Sequence, residues 1–523
     1  MKNICKLCLS LLLIFCFNGC NDKLNVKPYT FISDEYFYNT ESEMKSAVTA
    51  VYAVLRELYN GSAGAWGCLY YACEMRSDNT DYQYSPQLRN APGIEAVDEF
   101  LDVPVNSNMN YIWYTLYHAI HLASVVVERI GDVPFDHPEL KVQYEGEVRF
   151  LRALMYFHLV RLWGEVPLRK TATTNPDNAF TEEKATVDQL YDFILEDLQF
   201  AIDHLPARSE QLDADRGRVT KGAALTMQGE VYLTLKDYPN TIASLEQVTG
   251  YELLTGPDGY ASIFDPGNKN NAESIFEVQY SASLNLESTF IYAWGPRDAR
   301  PALTGFPGTC TGRNTPTEDI AEAYEPGDLR KDASIAYWVD PANKVYFESF
   351  GKNNDSAIYI KKFYHPGTYQ INGRADENFP VYRYAYVKLM LADALNETQD
   401  RDPGQALDLL NEVRVRAGLA QLTITDQEEL RKAIFREMRV EVAFEHHRWY
   451  QLLRLPPEEA VEIMRAHGVK QKERFRAAGA RMVPPQVSRL SEAAYNVQTY
   501  MLLFPITERE TRLNGFGNNP GWE

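Results

Sequence analysis

The chain has 523 residues, too many for one ordinary hydrophobic core, and its 45% hydrophobic and 24% charged content is that of a globular protein. Its formal net charge is −20, and removing Lys2 and Lys6 along with residues 1–19 takes it to −22. So acidic a surface repels phosphate backbones, which sets nucleic acid aside as a partner.

Lys2 and Lys6 precede an apolar run from Leu7 to Phe17. Roughly a dozen apolar residues suit the hydrophobic stretch of a signal peptide and are too few to span a membrane. The run ends in Phe17-Asn18-Gly19-Cys20, which resembles a bacterial lipobox apart from Phe17, where Leu is usual. Residues 1–19 therefore read as a lipoprotein signal peptide, Cys20 as the lipidated residue and 20–40 as a polar tether. One acyl chain anchors weakly, and several anchor stably. Of seven cysteines, Cys20, Cys68, Cys73 and Cys310 remain after processing, and Cys68 and Cys73 are spaced as free thiols rather than a disulfide.

The 3.6-residue period begins at Glu41, with Ala47, Val51, Val54, Leu55 and Leu58 on one face. Residues 60–108 lose it and read as long loops rich in Gly, Asn, Asp, Tyr and Pro. It returns near Asn110 with Ile112, Leu116, Ile120, Ala123, Val127 and Ile130. Glu147–Leu168 carries two apolar stripes, as a helix packed between neighbours does, with His158 as a core histidine and Gly164 as the stop. Its Arg149, Arg152 and Arg161 need carboxylate partners or solvent. Helices follow at about 187–204 and 218–236. The stretch from Arg218 then turns through Lys-Asp-Tyr-Pro into another helix, a tetratricopeptide-like pair in which Ala223, Ala224 and Gly229 permit close approach. Residues 250–375 are irregular and aromatic-rich, with a strand-like run at Ser274–Tyr280. Helical pairing resumes over Tyr382–Leu419, a long helix is expected at about 427–454, and Leu502–Glu523 reads as an extended tail. The fold class is thus mainly α: a tetratricopeptide-like helical-pair scaffold with large irregular loop-rich inserts and a few short strands. The divisions after the tether are 41–249 (scaffold, with an insert at about 60–108), 250–380 (irregular insert) and 381–523 (helical pairs and tail).

No His-Glu-x-x-His, Gly-x-Ser-x-Gly or Walker-type motif is present. His446 and His447 are adjacent, so on a helix they diverge by about 100° and cannot chelate one metal ion. No cofactor is expected. The loop carboxylates Asp78 and Asp81 are open to three readings: a solvated loop, hydroxyl or calcium binding, or the acid pair of a glycosidase. Loops on a rigid scaffold are where binding groups concentrate. In the first insert the candidates are Trp66, Tyr70, Tyr82, Tyr84 and Arg89; in the second, Tyr292, Trp294 and Arg297. If Tyr292–Arg297 is extended, the two aromatics share a face, and an exposed Trp294 ring would offer a platform for the C–H face of a sugar. Trp113, Trp163 and Trp449 lie on amphipathic helices and read as core.

Six blocks, in order along nearly the whole chain, resemble the SusD/RagB family of outer-membrane nutrient-binding lipoproteins. They are Glu147–Leu168, Arg218–Tyr238, Pro316–Arg330, Tyr382–Leu419, Glu437–Arg454 and Leu502–Trp522, the last holding Phe-Pro-Ile and Asn-Pro-Gly. Met438, His446, Gln451 and Asn518 stand where that family commonly has Arg, Gly, Asp and Gln. The resemblance implies a glycan-binding, non-enzymatic protein facing outward on the outer membrane, handing its ligand to a TonB-dependent β-barrel. It also leaves open a peptide ligand, and a surface hydrolase is the remote alternative. The family's ligand residues vary, so it assigns no site here.

Overall fold

The computed structural model describes residues 37–61, 67–82, 92–173, 183–339, 349–350 (backbone only), 356–369, 374–481, 485 and 490–522. The first helix starts where the sequence supplies a cap. The Thr40 hydroxyl accepts from the Glu43 N–H at 3.2 Å, and the Glu43 carboxylate accepts from the Thr40 N–H at 3.0 Å. This box opens α1 (Glu41–Leu58), which buries Met44, Val48, Val51, Leu55 and Leu58. After it come α2 (Ser107–Ile130), α3 (Pro138–Trp163), α4 (Val187–His204), α5 (Lys221–Thr234) and α6 (Tyr238–Leu245), each packed on the one before.

α3 has the two buried faces that its sequence predicts, and Gly164 ends it at φ +72°. Its arginines find acids. Arg152 donates to both Asp197 oxygens of α4 at 2.8 Å, and Arg161 reaches Glu230 of α5 at 3.2 Å. His158 is buried between the Tyr59 and Tyr450 hydroxyls, each 2.8 Å away. A Cβ on Gly229 would sit 2.3 Å from Leu245 Cδ2, so glycine there sets how closely α5 and α6 pair. Trp113, Trp163 and Trp449 are core residues, and Cys68, Cys73 and Cys310 are buried free thiols.

The stack continues with α7 (Tyr384–Glu397), α8 (Pro403–Arg416) and α9 (Gln427–Glu441). α7 packs directly on α6, although residues 246–383 lie between them in the chain. The scaffold is therefore continuous, and the second insert loops out of one of its joints. The strands are short: β1 (Thr80–Asp81), β2 (Val166–Pro167), β3 (Lys184–Ala185), β4 (Ser274–Val278), β5 (Thr315–Pro316), β6 (Ile335–Val339), β7 (Ser349–Phe350), β8 (Ser356–Ile360) and β9 (Phe379–Arg383). β4 and β9 pair antiparallel, from Ser274 opposite Arg383 to Val278 opposite Phe379, and both are buried throughout. They close the base of the insert. β6, β8 and β7 form a three-stranded sheet within it, and β2 pairs with β3.

A buried charge network ties this base to the scaffold. Arg383 donates to Glu273 at 2.7 Å, to Glu441 at 2.9 Å and to Glu445 at 2.7 Å. Arg416 joins Glu273 at 3.0 Å and Glu441 at 2.5 Å. Arg330 of the insert binds Asp328 at 2.8 Å and Glu441 at 2.9 Å, and Lys362 binds Glu445 at 2.7 Å. Burial would raise the Glu441 pKa, but Arg416, Arg383 and Arg330 outweigh burial and hold it below the usual carboxylate range.

Three expectations need correction. Residues 67–82 are not loop. They form a buried π-helical turn (Tyr71–Met75) and β1, with a further helix at Pro92–Asp98. The expected 427–454 helix breaks after α9 and resumes as α10 (Arg448–Leu453). In the break the Glu74 carboxylate accepts the Phe444 N–H at 3.1 Å and the His446 N–H at 3.0 Å, in a site whose burial pushes Glu74 up to about 7. His446 sits at φ +67°, a left-handed conformation that explains why glycine is common there in the family resembled. It and His447 are both buried, and neither lies on a helix. Finally, the tail contains a helix, Glu508–Asn514, and Asn519 pins the tail by donating to the Trp163 and Phe504 carbonyls at 2.8 Å. Among the described residues no helix is long and apolar enough to cross a membrane.

Replacing Glu441 by glutamine leaves three buried arginines short of a charge. Glu441→Gln is expected to destabilise the fold by about 3–5 kcal/mol, read as a lower midpoint in urea. Glu441 is depressed in the folded state, so its contribution is present above an unfolded pKa of roughly 4.3 and is lost as pH falls below it. The gap between wild type and variant should therefore narrow in acid; an equal gap at every pH would exclude this origin.

Candidate functional site

The two inserts fold as one unit. Asn60, at the end of α1, accepts the Thr289 N–H at 2.9 Å and the Thr289 hydroxyl at 2.8 Å through one carboxamide oxygen. β1 pairs antiparallel with β5, and Thr317 N–H donates to the Asn79 carbonyl at 2.9 Å. Residues 310–313 run beside 292–297: Thr311 N–H bonds to Tyr292 O at 2.9 Å and Arg313 N–H to Ala293 O at 2.9 Å. Gly295 permits this, because a Cβ there would lie 2.9 Å from Cys310 Sγ.

This junction collects tyrosines and arginines. Arg297 donates to the Tyr82 hydroxyl at 3.1 Å, Arg313 donates to the Tyr71 hydroxyl at 3.0 Å, and the Arg300 guanidinium lies 4.8 Å from the centre of the Tyr292 ring. All three arginines are half-buried, while Tyr71, Tyr82 and Tyr292 are buried. Tyr292 belongs to a second, smaller apolar cluster with Ile291, Leu303, Tyr359 and Tyr369. Phe306, Trp338 and Tyr364 pack half-buried against that cluster. Partly exposed aromatic faces next to fixed guanidiniums can stack on sugar rings and bond to hydroxyls.

Of the residues proposed from sequence, Tyr82, Tyr292 and Arg297 meet here. Their exposure differs from expectation. Residues Phe290–Trp294 form a helical turn, not an extended strand, so Tyr292 and Trp294, two apart, point to different sides. Trp294 is 1% exposed in the main core, 4.9 Å from Phe290, 5.4 Å from Tyr70 and 5.4 Å from Phe363 by ring centre. It is no open platform, and Tyr70 is fully buried with it. Tyr82 is buried too; its N–H is held by Asp98 at 3.0 Å and its hydroxyl by Arg297.

Asp78 and Asp81 are not a solvated loop pair. Asp78 takes both prongs of Arg448, at 2.7 and 3.0 Å, and lies 3.1 Å from Arg439. Burial would raise its pKa, but these cations push it well down. Asp81 takes Arg474 at 2.8 Å and lies 3.4 Å from His467. Burial would lower His467, but Asp319 and Asp81 outweigh it and raise its pKa to about 9. Both carboxylates are thus occupied by cations, which removes the calcium, hydroxyl and glycosidase readings of this pair. Among the described residues no group of three or more His, Cys, Asp or Glu is placed to hold a metal ion. Trp66, Tyr84, Arg89 and Cys20 lie outside the described residues.

Sequence reasoning missed Arg300, Arg313, Tyr71 and Trp338. Arg300 and Arg313 flank a Gly- and Pro-rich stretch, a signal of irregular backbone that sets no direction for either side chain.

Comparisons with known proteins agree with one another. A family model described as the SusD family matches residues 289–522, and one described as starch-binding associating with outer membrane matches residues 24–233. The SusD-like protein P2 of Formosa agariphila is 25% identical over 534 residues, spanning 96% of this chain and 97% of its own length. A SusD-like protein of Bacteroides ovatus is 24% identical, spanning 84% of this chain and 80% of its own. The structure of a laminarin binding SusD-like protein superposes with a TM-score of 0.73 at 24% identity, over 92% of this chain and 100% of that one. Surface glycan-binding protein A from Bacteroides fluxus gives 0.70 at 19% identity, over 92% and 100%.

The burial of Trp294 has a measurable consequence. Trp294→Ala should lower stability by about 3–5 kcal/mol, as core aromatics do, read by thermal or chemical unfolding. An unchanged melting temperature would return the ring to the surface.

Proposed function

The chain belongs to the SusD family, and from that premise we propose that it is a surface lipoprotein that captures a glycan and passes it to a TonB-dependent β-barrel in the outer membrane. The observation that carries the reading is the double family match, which leaves little of the chain uncovered, its N-terminal part being to a starch-binding group associated with the outer membrane. Structural neighbours named for laminarin binding and surface glycan binding support it across 92% of the chain. The junction of the two inserts supplies a suitable wall: half-buried Phe306, Trp338 and Tyr364 for stacking, on a cluster whose Tyr292 ring carries the Arg300 guanidinium, a donor for hydroxyls. Capture here needs no bond cleavage, and the carboxylates weighed as an acid pair are each held by cations. A peptide ligand remains the alternative outcome of the binding test.

The direct test is calorimetry of the mature protein against a panel of polysaccharides and a peptide digest. Binding of at least one glycan with no new reducing ends after prolonged incubation is expected. Binding of peptides alone, or release of reducing ends, would overturn the reading.

The anchor rests on Gly19-Cys20 after the apolar run, and the partner on the family. In the native host, Cys20→Ala is expected to abolish lipid labelling and release the protein from the membrane fraction. Mild detergent extraction of the wild type should bring down a large β-barrel. A labelled, membrane-bound variant would remove the anchor, and free monomer under every mild condition would remove the partner.

A further inference from the structure

The buried and half-buried arginines of this molecule are, as a rule, matched by acids. Arg152 has Asp197, Arg161 has Glu230, and Arg330, Arg383 and Arg416 share Glu441. An acidic chain, with 72 Asp and Glu against 52 Lys and Arg, has carboxylates to spare for this. Arg313 departs from the rule. Among the described residues its side chain has one hydrogen-bond partner, the Tyr71 hydroxyl at 3.0 Å, and its Nε is buried with none. The titratable groups that act on it most strongly are Tyr70, Tyr71, Tyr82 and Cys68, and among the described residues no acid forms an ion pair with it. Burial pushes the Tyr70 and Tyr71 phenols and the Cys68 thiol upward, so at neutral pH they stay uncharged. They present dipoles to the guanidinium, not an opposite charge.

A half-buried cation facing neutral partners is a costly arrangement unless an anion arrives from outside. Its position invites one. Arg313 stands where 310–313 crosses 292–297, at the junction already described, on the same wall as Arg297 and Arg300. Arg297 donates to the Tyr82 hydroxyl and the Arg300 guanidinium lies over the Tyr292 ring, so three guanidiniums stand along this junction. A guanidinium offers a planar fork that fits the two oxygens of a carboxylate or a sulfate, and it selects them over a hydroxyl.

We propose that Arg313 binds a negatively charged substituent of the captured glycan, the carboxylate of a uronic acid or a sulfate ester, and so makes this protein a receptor for acidic polysaccharide. The inference rests on the glycan-capture reading and narrows it.

The test compares matched polymers on the mature protein. Polygalacturonate is set against its carboxyl-reduced form, and a sulfated galactan against its desulfated form. Wild type should bind at least one charged polymer more tightly than its neutral counterpart, with affinity falling as salt rises. Whichever pair shows the difference identifies the anion. Arg313→Gln should weaken the charged polymer by about 10- to 100-fold and neutral polymers far less. Arg313→Lys, which keeps the charge and loses the fork, should fall between, and it carries the comparison if the glutamine variant melts early. Equal binding of charged and neutral forms by wild type overturns the inference while glycan capture stands. So does an Arg313→Gln loss that is the same for both, which would mark a purely structural arginine. Failure of every glycan, with peptides binding instead, overturns glycan capture itself.

Discussion

Glu441 lies at the end of α9 with three arginines around it, and the rest of the molecule is arranged about that contact. Arg416 comes from the helical scaffold, Arg383 from the strand that closes the second insert, and Arg330 from within the insert. Burying one such charge alone would be prohibitive, so the groups are tolerable only as a set in which each satisfies its neighbours. Removing any one leaves others stranded. The second insert is therefore fastened to the scaffold at a point where geometry has little freedom, and the short β4–β9 pair completes the joint.

A rigid joint matters because the insert has little regular structure of its own. Its wall is held by backbone bonds between 310–313 and 292–297 and by its pairing with the first insert through β1 and β5. Asn60 ties the end of α1 to Thr289. Side chains at this junction, Arg313 among them, are thus positioned by three distant parts of the chain. Binding groups placed in this way lose little freedom when a ligand arrives. Long irregular segments can then serve recognition without a large entropic cost.

Charge is distributed in the same spirit. The molecule is strongly acidic, yet many of its buried acids face inward to arginines: Asp78 to Arg448, Asp81 to Arg474, Glu147 to Arg218. Of these, Asp78 and Asp81 are the carboxylates that the sequence offered for binding or acid chemistry, and in the fold each is paired with cations. At the junction, Arg297, Arg313 and Arg300 contact the tyrosines Tyr82, Tyr71 and Tyr292. A net charge read from composition could not reveal either arrangement.

Much of the scaffold was legible because its determinants are local. Apolar residues repeating at three and four positions, the Thr40–Glu43 cap, Gly164 and the small residues of α5 act through neighbours in the chain, so the helices fell where expected. The order of the blocks identified the family for the same reason. Exposure is not local. Tyr70 and Trp294 sit in stretches without helical period, yet each is buried by the other, across more than 200 residues of chain. Asp78 and Asp81 looked like open loop carboxylates until Arg448 and Arg474, from the far end of the chain, closed on them. The break between α9 and α10 depends on Glu74, a buried acid from the first insert, which no helical pattern around 441–448 encodes. The sequence alone determined the paired helices of the scaffold and what family they build. Only the tertiary structure decided which aromatics and charges remain on the surface, because that depends on partners brought together from distant parts of the chain.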